Sequence, residues 1–385
     1  MDGTDALTIS VSGELSKLDR AAWDAFADPP GAPFGPFLSW DFLQSLEQSG
    51  CAAETRGWQP AHLIARDATG VMVGAMPLYA KDHSYGEYVF DHAWADALQR
   101  GGGRYYPKLQ CAVPFTPVPG RRIFARDETV GRALAQGAVG LAQRAGASSV
   151  HVTFASAELC AGLSQLGYMT RAGLQYHWFN RGYATFQDFL ADLSSQKRKS
   201  IRRERARACE GLTIKRLRGA EITRGDWDFF YRCYMDTGSR KWGSPYLNRE
   251  FFLLLGDRMA DRCVLFVAEE DGHPVASALN LIGGEALYGR YWGRLADAPF
   301  LHFELCYYQA IELAIELGLS RVEAGAQGEH KLARGYVPAP TYSAHWIAHP
   351  GLRNAVRRHL EAETPAVAEE AEVLKQSAPF KHQTD

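Results

Sequence analysis

One order of predicted elements runs through this chain twice, at a spacing near half its length, and no other feature restricts the fold as strongly. Apolar residues alternate as in strands or recur at helical spacing. In the first half they predict a strand at 7–11, helices at 18–27 and 38–49, and strands at 61–66 and 71–79 joined by Asp67-Ala68-Thr69-Gly70. Ser39 stands where it could cap the second helix. An aromatic segment at 85–99 and the Gly101-Gly102-Gly103 run precede a strand at 109–117, a helix at 128–145, a strand at 149–154, a helix at 158–167 and a strand at 175–180. The second half opens on a basic helix at 186–208 and a strand at 212–217. Helices at 227–236 and 249–259 lead to three strands at 263–269, 274–282 and 286–292, joined by Asp271-Gly272 and Gly283-Gly284. Such dipeptides favour tight hairpins. A helix at 301–317, strands at 321–324 and 342–348, and a helical tail over 351–385 close the order. Each half can therefore close its own mixed sheet with helices on both faces, an α/β (α+β mixed-sheet) architecture in two tandem domains. The division falls at 1–181 and 182–385, the latter with the basic entry helix and the helical tail. The 385 residues exceed what one core holds, since cores stop growing at about 250–300 residues.

Apolar residues at 46%, aromatics at 12%, 37 glycines and 22% charge describe a packed globular enzyme and exclude a disordered or fibrous chain. A net charge of -2 gives no global attraction to polyanions, so such a partner would need a local basic patch. The seven cysteines are scattered and form no C-x-x-C pair, against a disulfide frame or a thiolate metal site. Residues 1–10 lack the basic and apolar regions of a leader, and no apolar run reaches the ~18 residues of a membrane span. The expected location is cytoplasmic, with a lipid-linked substrate at the bilayer surface still open.

Several long strings carry a family likeness. They are Ser39-Trp40-Asp41-Phe42-Leu43, the stretch from Ser84 to Ala97, Tyr105-Tyr106-Pro107-Lys108-Leu109-Gln110, Val113-Pro114-Phe115-Thr116-Pro117-Val118, Gly289-Arg290-Tyr291-Trp292-Gly293, the stretch from Leu301 to Gln309, and the stretch from Glu323 to Lys331. Through them nearly the whole chain resembles the FemAB-like predicted N-acyltransferases of bacteria. The resemblance implies two tandem GNAT-like acyltransferase domains. By kinship with the Fem transferases it also implies transfer of an amino acid from aminoacyl-tRNA to an amine of a peptidoglycan precursor. Ordinary GNAT proteins use acyl-CoA instead. A tightly bound cofactor is not expected, and either carrier would serve as co-substrate.

A coenzyme A site needs a glycine-rich turn at a helix start, where bare N–H groups hold the pyrophosphate. The second half offers Gly293 to Phe300 there, without Gly-x-Gly spacing and with Asp297; the first offers Arg121 to Arg132, with Gly131 late in it. Both favour another donor. The helix carrying Lys197, Arg198, Arg202 and Arg205 could follow the phosphates of tRNA or of a nucleotide-linked precursor; a solvated basic face is the competing reading. Transfer to an amine needs a base and donors for the oxyanion. Glu304, Glu323, Glu329 and His330 gather near the expected cleft as catalytic candidates. Arg290, Tyr291, Trp292, His302 and Lys331 are candidate substrate contacts beside them, and Glu87, Asp91 and His92 are further ones in an aromatic setting in the first half. Each carboxylate could instead serve a helix dipole or an ion pair, and the Glu-His-Lys loop could be plain surface. No His/Asp/Glu spacing suggests a metal. The readings kept open are a Fem-like aminoacyl transferase, an acyl-CoA-dependent N-acetyltransferase, and a degenerate pair of domains that binds without catalysing.

Overall fold

The computed structural model describes residues 6–241, 245–325 and 328–381. In chain order the strands are β1 (Thr8–Ser12), β2 (Gln59–Pro60), β3 (His62–Arg66), β4 (Met72–Met76), β5 (Leu78–Lys81), β6 (Lys108–Cys111), β7 (Phe124–Ala125), β8 (Ser149–Ala155), β9 (Met169–Phe179), β10 (Leu212–Arg218), β11 (Cys263–Glu270), β12 (His273–Ile282), β13 (Ala286–Arg294), β14 (Arg321–Glu323) and β15 (Val337–Ile347). The helices are α1 (Arg20–Ala27), α2 (Trp40–Gln48), α3 (His92–Arg100), α4 (Glu128–Ala145), α5 (Ala157–Ser164), α6 (Phe186–Asp192), α7 (Ser195–Ala208), α8 (Arg224–Lys241), α9 (Arg249–Met259), α10 (Leu301–Phe303), α11 (Gln309–Glu316) and α12 (Pro350–Gln376). Side-chain caps set several starts: Ser39 accepts from the Phe42 N–H at α2, Asp127 from Val130 at α4, and Thr185 and Asp188 form a reciprocal capping box at α6.

The chain divides into two compact units, one of residues up to Gly173 together with Pro340–Glu369, the other of Leu174–Ala339 with the residues from Glu370 onward. This differs from the expected division at 181/182, because Tyr342–Ile347 of β15 pairs antiparallel with Ala155–Ser149 of β8. The C-terminal strand thus belongs to the first unit.

In that unit β1, β3, β4 and β7 form one sheet. The other contains β2, β5, β6, β8 and β15, with β6 parallel to β8. The strand expected over 71–79 is two strands in two sheets, since Pro77 lacks the N–H that would carry a ladder through it. Val130, Leu134, Ala138 and Ala142 of α4 pack on Leu63, Met76, Leu109 and Val152. Leu352, Val356 and Leu360 of α12 close a second core with Trp94, Leu98 and Ile347.

The second unit is one sheet ordered β10-β11-β12-β13-β14-β9, antiparallel apart from β13 and β14. The helix expected over 186–208 breaks at Leu193, which is extended and buried, and Ser194 restarts it as α7. A π turn, Glu304–Tyr308, joins α10 to α11, and this helical segment covers one sheet face with Leu305, Tyr308, Ile311 and Ile315. Two irregularities place the site. Pairing of β13 with β14 ends at Tyr288↔Glu323, while β13 runs on to Arg294 along β12. Between the rungs Leu279↔Tyr291 and Asn280↔Gly289 the register shifts, leaving Arg290 as the extra residue of a bulge.

Candidate active site

Where β13 parts from β14, the second unit holds a pocket lined by Ala278, Leu279, Asn280, Gly289 to Trp292, His302, Cys306, Tyr307 and Ala324. Strand alternation explains which groups face it. Ala278 and Ile282 enter the core beneath the helical segment, so Asn280 between them faces the same side. Tyr291 turns the opposite way and packs its ring on Tyr234 at 5.2 Å. The Arg290 guanidinium lies 5.2 Å from the Tyr291 ring. The wall opposite the strands is aromatic. His302 lies over Trp292 at 4.5 Å and meets Tyr307 at 5.3 Å, and the Tyr307 hydroxyl is hydrogen-bonded to His330 Nε2 at 2.8 Å. Lys331 is buried and donates to the Gly325 carbonyl at 2.8 Å, and burial lowers its ammonium to about 8.

Among the expected catalytic residues, the two central carboxylates lie in ion pairs and do not line the pocket. Glu304 is fully buried and accepts three hydrogen bonds from Arg205, at 3.3, 3.0 and 2.8 Å, and one from Gln309 at 2.7 Å. Its oxygens are occupied, so it anchors the π turn to α7. The same contact removes Arg205 from any phosphate-binding face, and its guanidinium also reaches Glu312 and the Phe186 ring. Glu323 is the last paired residue of β14, at the split as expected. However, Val322 enters the core under the helical segment, so Glu323 faces the far side of the sheet, where Arg321 donates to it at 2.9 Å. The side chain of Glu329 lies outside the described residues. Arg290, Trp292 and His302 line the pocket and His330 meets it through the Tyr307 hydroxyl, whereas Lys331 is turned to the Gly325 carbonyl.

On α7 the fully exposed row is Lys199, Arg203 and Arg207; of the row through Arg198, Arg202 and Arg205, Arg202 alone is exposed. Arg202 donates to Gln187, Arg198 weakly to the Ala191 carbonyl, and Lys197 is half-buried. Ile201 and Ala208 are the buried side of this helix, which fixes its rotation. Near the end of β13, Gly293 has a packing role: a Cβ there would lie 1.9 Å from the Cys233 carbonyl oxygen of α8. Asp297 pairs with Arg294 just beyond it, so the charge of the arginine nearest the turn before α10 is already met.

In the first unit Glu87 and Asp91 are buried around Lys108, which donates to both and to Ser84. Burial raises the Glu87 carboxyl to about 7 despite Lys108, whereas for Asp91 burial is outweighed by Lys108 and His151 and the carboxyl stays well below its usual range. Lys81, lowered to about 7 by burial, lies 3.8 Å over the Trp58 ring. His151 and His345 share a Nδ1···Nδ1 hydrogen bond of 2.7 Å. Burial holds His151 down to about 3 and His345 well below the usual imidazole range. His92 is not part of this cluster; it is exposed between the rings of Tyr85 and Phe90. Among the described residues no three His, Cys, Asp or Glu side chains converge as a metal set, and no helix is long and apolar enough to cross a membrane.

A mixed sheet whose two parallel strands part over a pocket, with a helical segment between them in sequence, defines the second unit as GNAT-like, and the chain as a tandem GNAT-like α/β protein. The chain belongs to the FemAB-like family, described as acting in peptidoglycan biosynthesis or recognition, whose model matches residues 14–382. Three solved structures share the fold. FemX has a TM-score of 0.56 at 13% identity, covering 88% of this chain and 98% of its own. A conserved protein of unknown function from Bacteroides thetaiotaomicron VPI-5482 has 0.54 at 11%, covering 89% and 100%. L-PGS from Bacillus licheniformis has 0.50 at 12%, covering 92% and 99%. No curated protein matches the chain.

Asn280, Cys306 and Tyr307 were not among the expected contacts. Cys306 and Tyr307 follow Glu304 in the helix-spaced string 301–309, where two aromatic residues read as core. Asn280 left a clearer trace, as a polar residue inside the apolar run Ala278 to Ile282.

Proposed function

We propose that the second unit transfers an aminoacyl or acyl group from a carrier to an amine, in the manner of the Fem transferases, with aminoacyl-tRNA as the favoured donor. The acceptor is an amine on a peptidoglycan precursor, met in the cytoplasm. The observation that carries this reading is the pocket at the β13/β14 split, which brings His302 and the Tyr307–His330 pair over a strand bulge. In the reaction the acceptor nitrogen adds to the acyl carbonyl carbon and the carbon–oxygen ester bond to the carrier breaks. The proton leaving the amine passes to His302 and then to the departing oxygen, a proton transfer worth ~10²–10⁴-fold where well placed. Arg290 is positioned to hold an anionic part of either substrate. Against coenzyme A as donor stand the packing role of Gly293 and the Arg294–Asp297 pair.

Incubation with charged tRNAs and with acyl-CoA donors, followed by mass spectrometry of candidate amine acceptors, tests the proposal. Transfer should fall ~10²-fold or more in His302→Ala with the fold intact. Absence of transfer from both donor classes, or full activity in His302→Ala, overturns it.

A further inference from the structure

β12 is paired on both sides, by β11 and β13, and most of its residues are apolar and buried. Asn280 interrupts them. It is 1% exposed, and neither Oδ1 nor Nδ2 has a hydrogen-bond partner. A buried amide left bare at both ends is a costly core residue, and such groups call for an explanation. Asn280 lines the pocket, and its neighbour across the strand pair is Gly289, where a Cβ would stand 3.3 Å from Oδ1. Any larger residue at that rung would crowd the amide. The bulge at Arg290 follows immediately.

The bare amide offers one acceptor oxygen and two N–H donors. A plain acyl group brings a carbonyl oxygen, which can accept a hydrogen bond from Nδ2 but leaves Oδ1 unanswered. An α-aminoacyl group brings a carbonyl oxygen and, one carbon away, an ammonium, so its two polar ends complement both ends of the amide. We propose that Asn280 is the specificity-determining residue that reads the α-aminoacyl group of the donor, Oδ1 accepting from the ammonium and Nδ2 donating to the acyl carbonyl. This rests on the pocket being the transfer cleft. It goes further in naming what selects an amino acid over a simple acyl group: a site built to hydrogen-bond a group discriminates strongly against the analogue lacking it. Nδ2 would also face the oxygen on which negative charge develops.

Two stable probes isolate the ammonium, 3′-(L-alanylamido)-3′-deoxyadenosine and 3′-propionamido-3′-deoxyadenosine, each titrated by calorimetry into the full chain. The wild-type protein should bind the alanyl probe roughly tenfold or more tightly than the propionyl probe. Asn280→Leu should bring the ratio to about one while its Tm stays level or rises, since an unpartnered buried amide is exchanged for an apolar side chain of similar size. Asn280→Asp, which keeps acceptor oxygens for the ammonium, should retain the alanyl preference and serves should the leucine variant fail to fold. A ratio near one in the wild type, or an unchanged ratio in Asn280→Leu, overturns the assignment even if aminoacyl transfer proceeds. If the protein transfers from neither charged tRNA nor acyl-CoA and binds neither probe, the cleft reading falls, and the role of Asn280 with it.

Discussion

At the scale of single residues, one of the two carboxylates most attractive from sequence is bound in a buried ion pair. Glu304 is enclosed, and its charge is balanced by an arginine from another helix. Removing one partner of such a pair strands the other in a medium that cannot solvate it. Arg205→Ala is therefore expected to destabilise the protein by ~3–5 kcal/mol in urea denaturation, whereas exposed Arg203→Ala should stay within ~0.5 kcal/mol. The histidine pair of the first unit has a different consequence. His151 titrates near 3 in the folded protein and at about 6.5 when unfolded, so between those values the unfolded chain binds the extra proton. Stability is then present above about pH 6.5 and is lost as pH falls toward 3, with a slope of up to ~1.4 kcal/mol per pH unit for each such histidine. His345 acts in the same direction. Denaturation at pH 7, 6 and 5 should show this fall, and His151→Gln/His345→Gln should flatten it. Glu87 and Asp91 of this cluster were legible in the sequence because they lie inside the aromatic string from Tyr85 to Trp94. Lys108, His151 and His345 come from separate strands, and only pairing of β6 with β8 and of β8 with β15 brings them there.

At the scale of elements, periodicity located most helices and strands, and misses arose where one tertiary fact decides. Pro77 divides one expected strand, and the buried Leu193 divides one expected helix. The rotation of α7 is another such fact. Seven of its fourteen residues are Lys or Arg, so charge alone cannot say which row faces out; the burial of Ile201 and Ala208 does. Lys199, Arg203 and Arg207 form the outward row. If α7 follows tRNA phosphates, the slope of log K against log salt should shrink by about 0.7–0.9 for each of these residues replaced by Gln. Filter binding of charged tRNA across a salt series measures it. An unchanged slope in all three variants would leave α7 a plain solvated surface. The bulge that sets the pocket was not legible, since Arg290 reads in sequence as an ordinary alternating strand residue.

At the scale of the whole molecule, duplication was visible in the order of elements, but the contiguity of each half was not. Nothing local in 342–348 says which β-strand it will join; that is settled by the rungs it makes with β8. A fragment of residues 1–181 lacks this strand and the three apolar anchors Leu352, Val356 and Leu360. It should fail to give a cooperative thermal transition, while a chimera joining Gly173 to Pro340 through a short flexible linker and ending at Glu369 should restore one. A Cβ at Gly173 would stand 3.1 Å from the Thr341 hydroxyl, so the join spans little distance. The late arrival of β15 also governs how the molecule is made. On the ribosome the second unit's strands and helices emerge before the first unit can acquire its last strand. β8 therefore waits with an unpaired edge while about 190 further residues are synthesised, a delay of roughly 10–40 s at typical elongation rates. During synthesis it is the beginning of this protein, and not its end, that is most exposed to mispairing with another nascent chain.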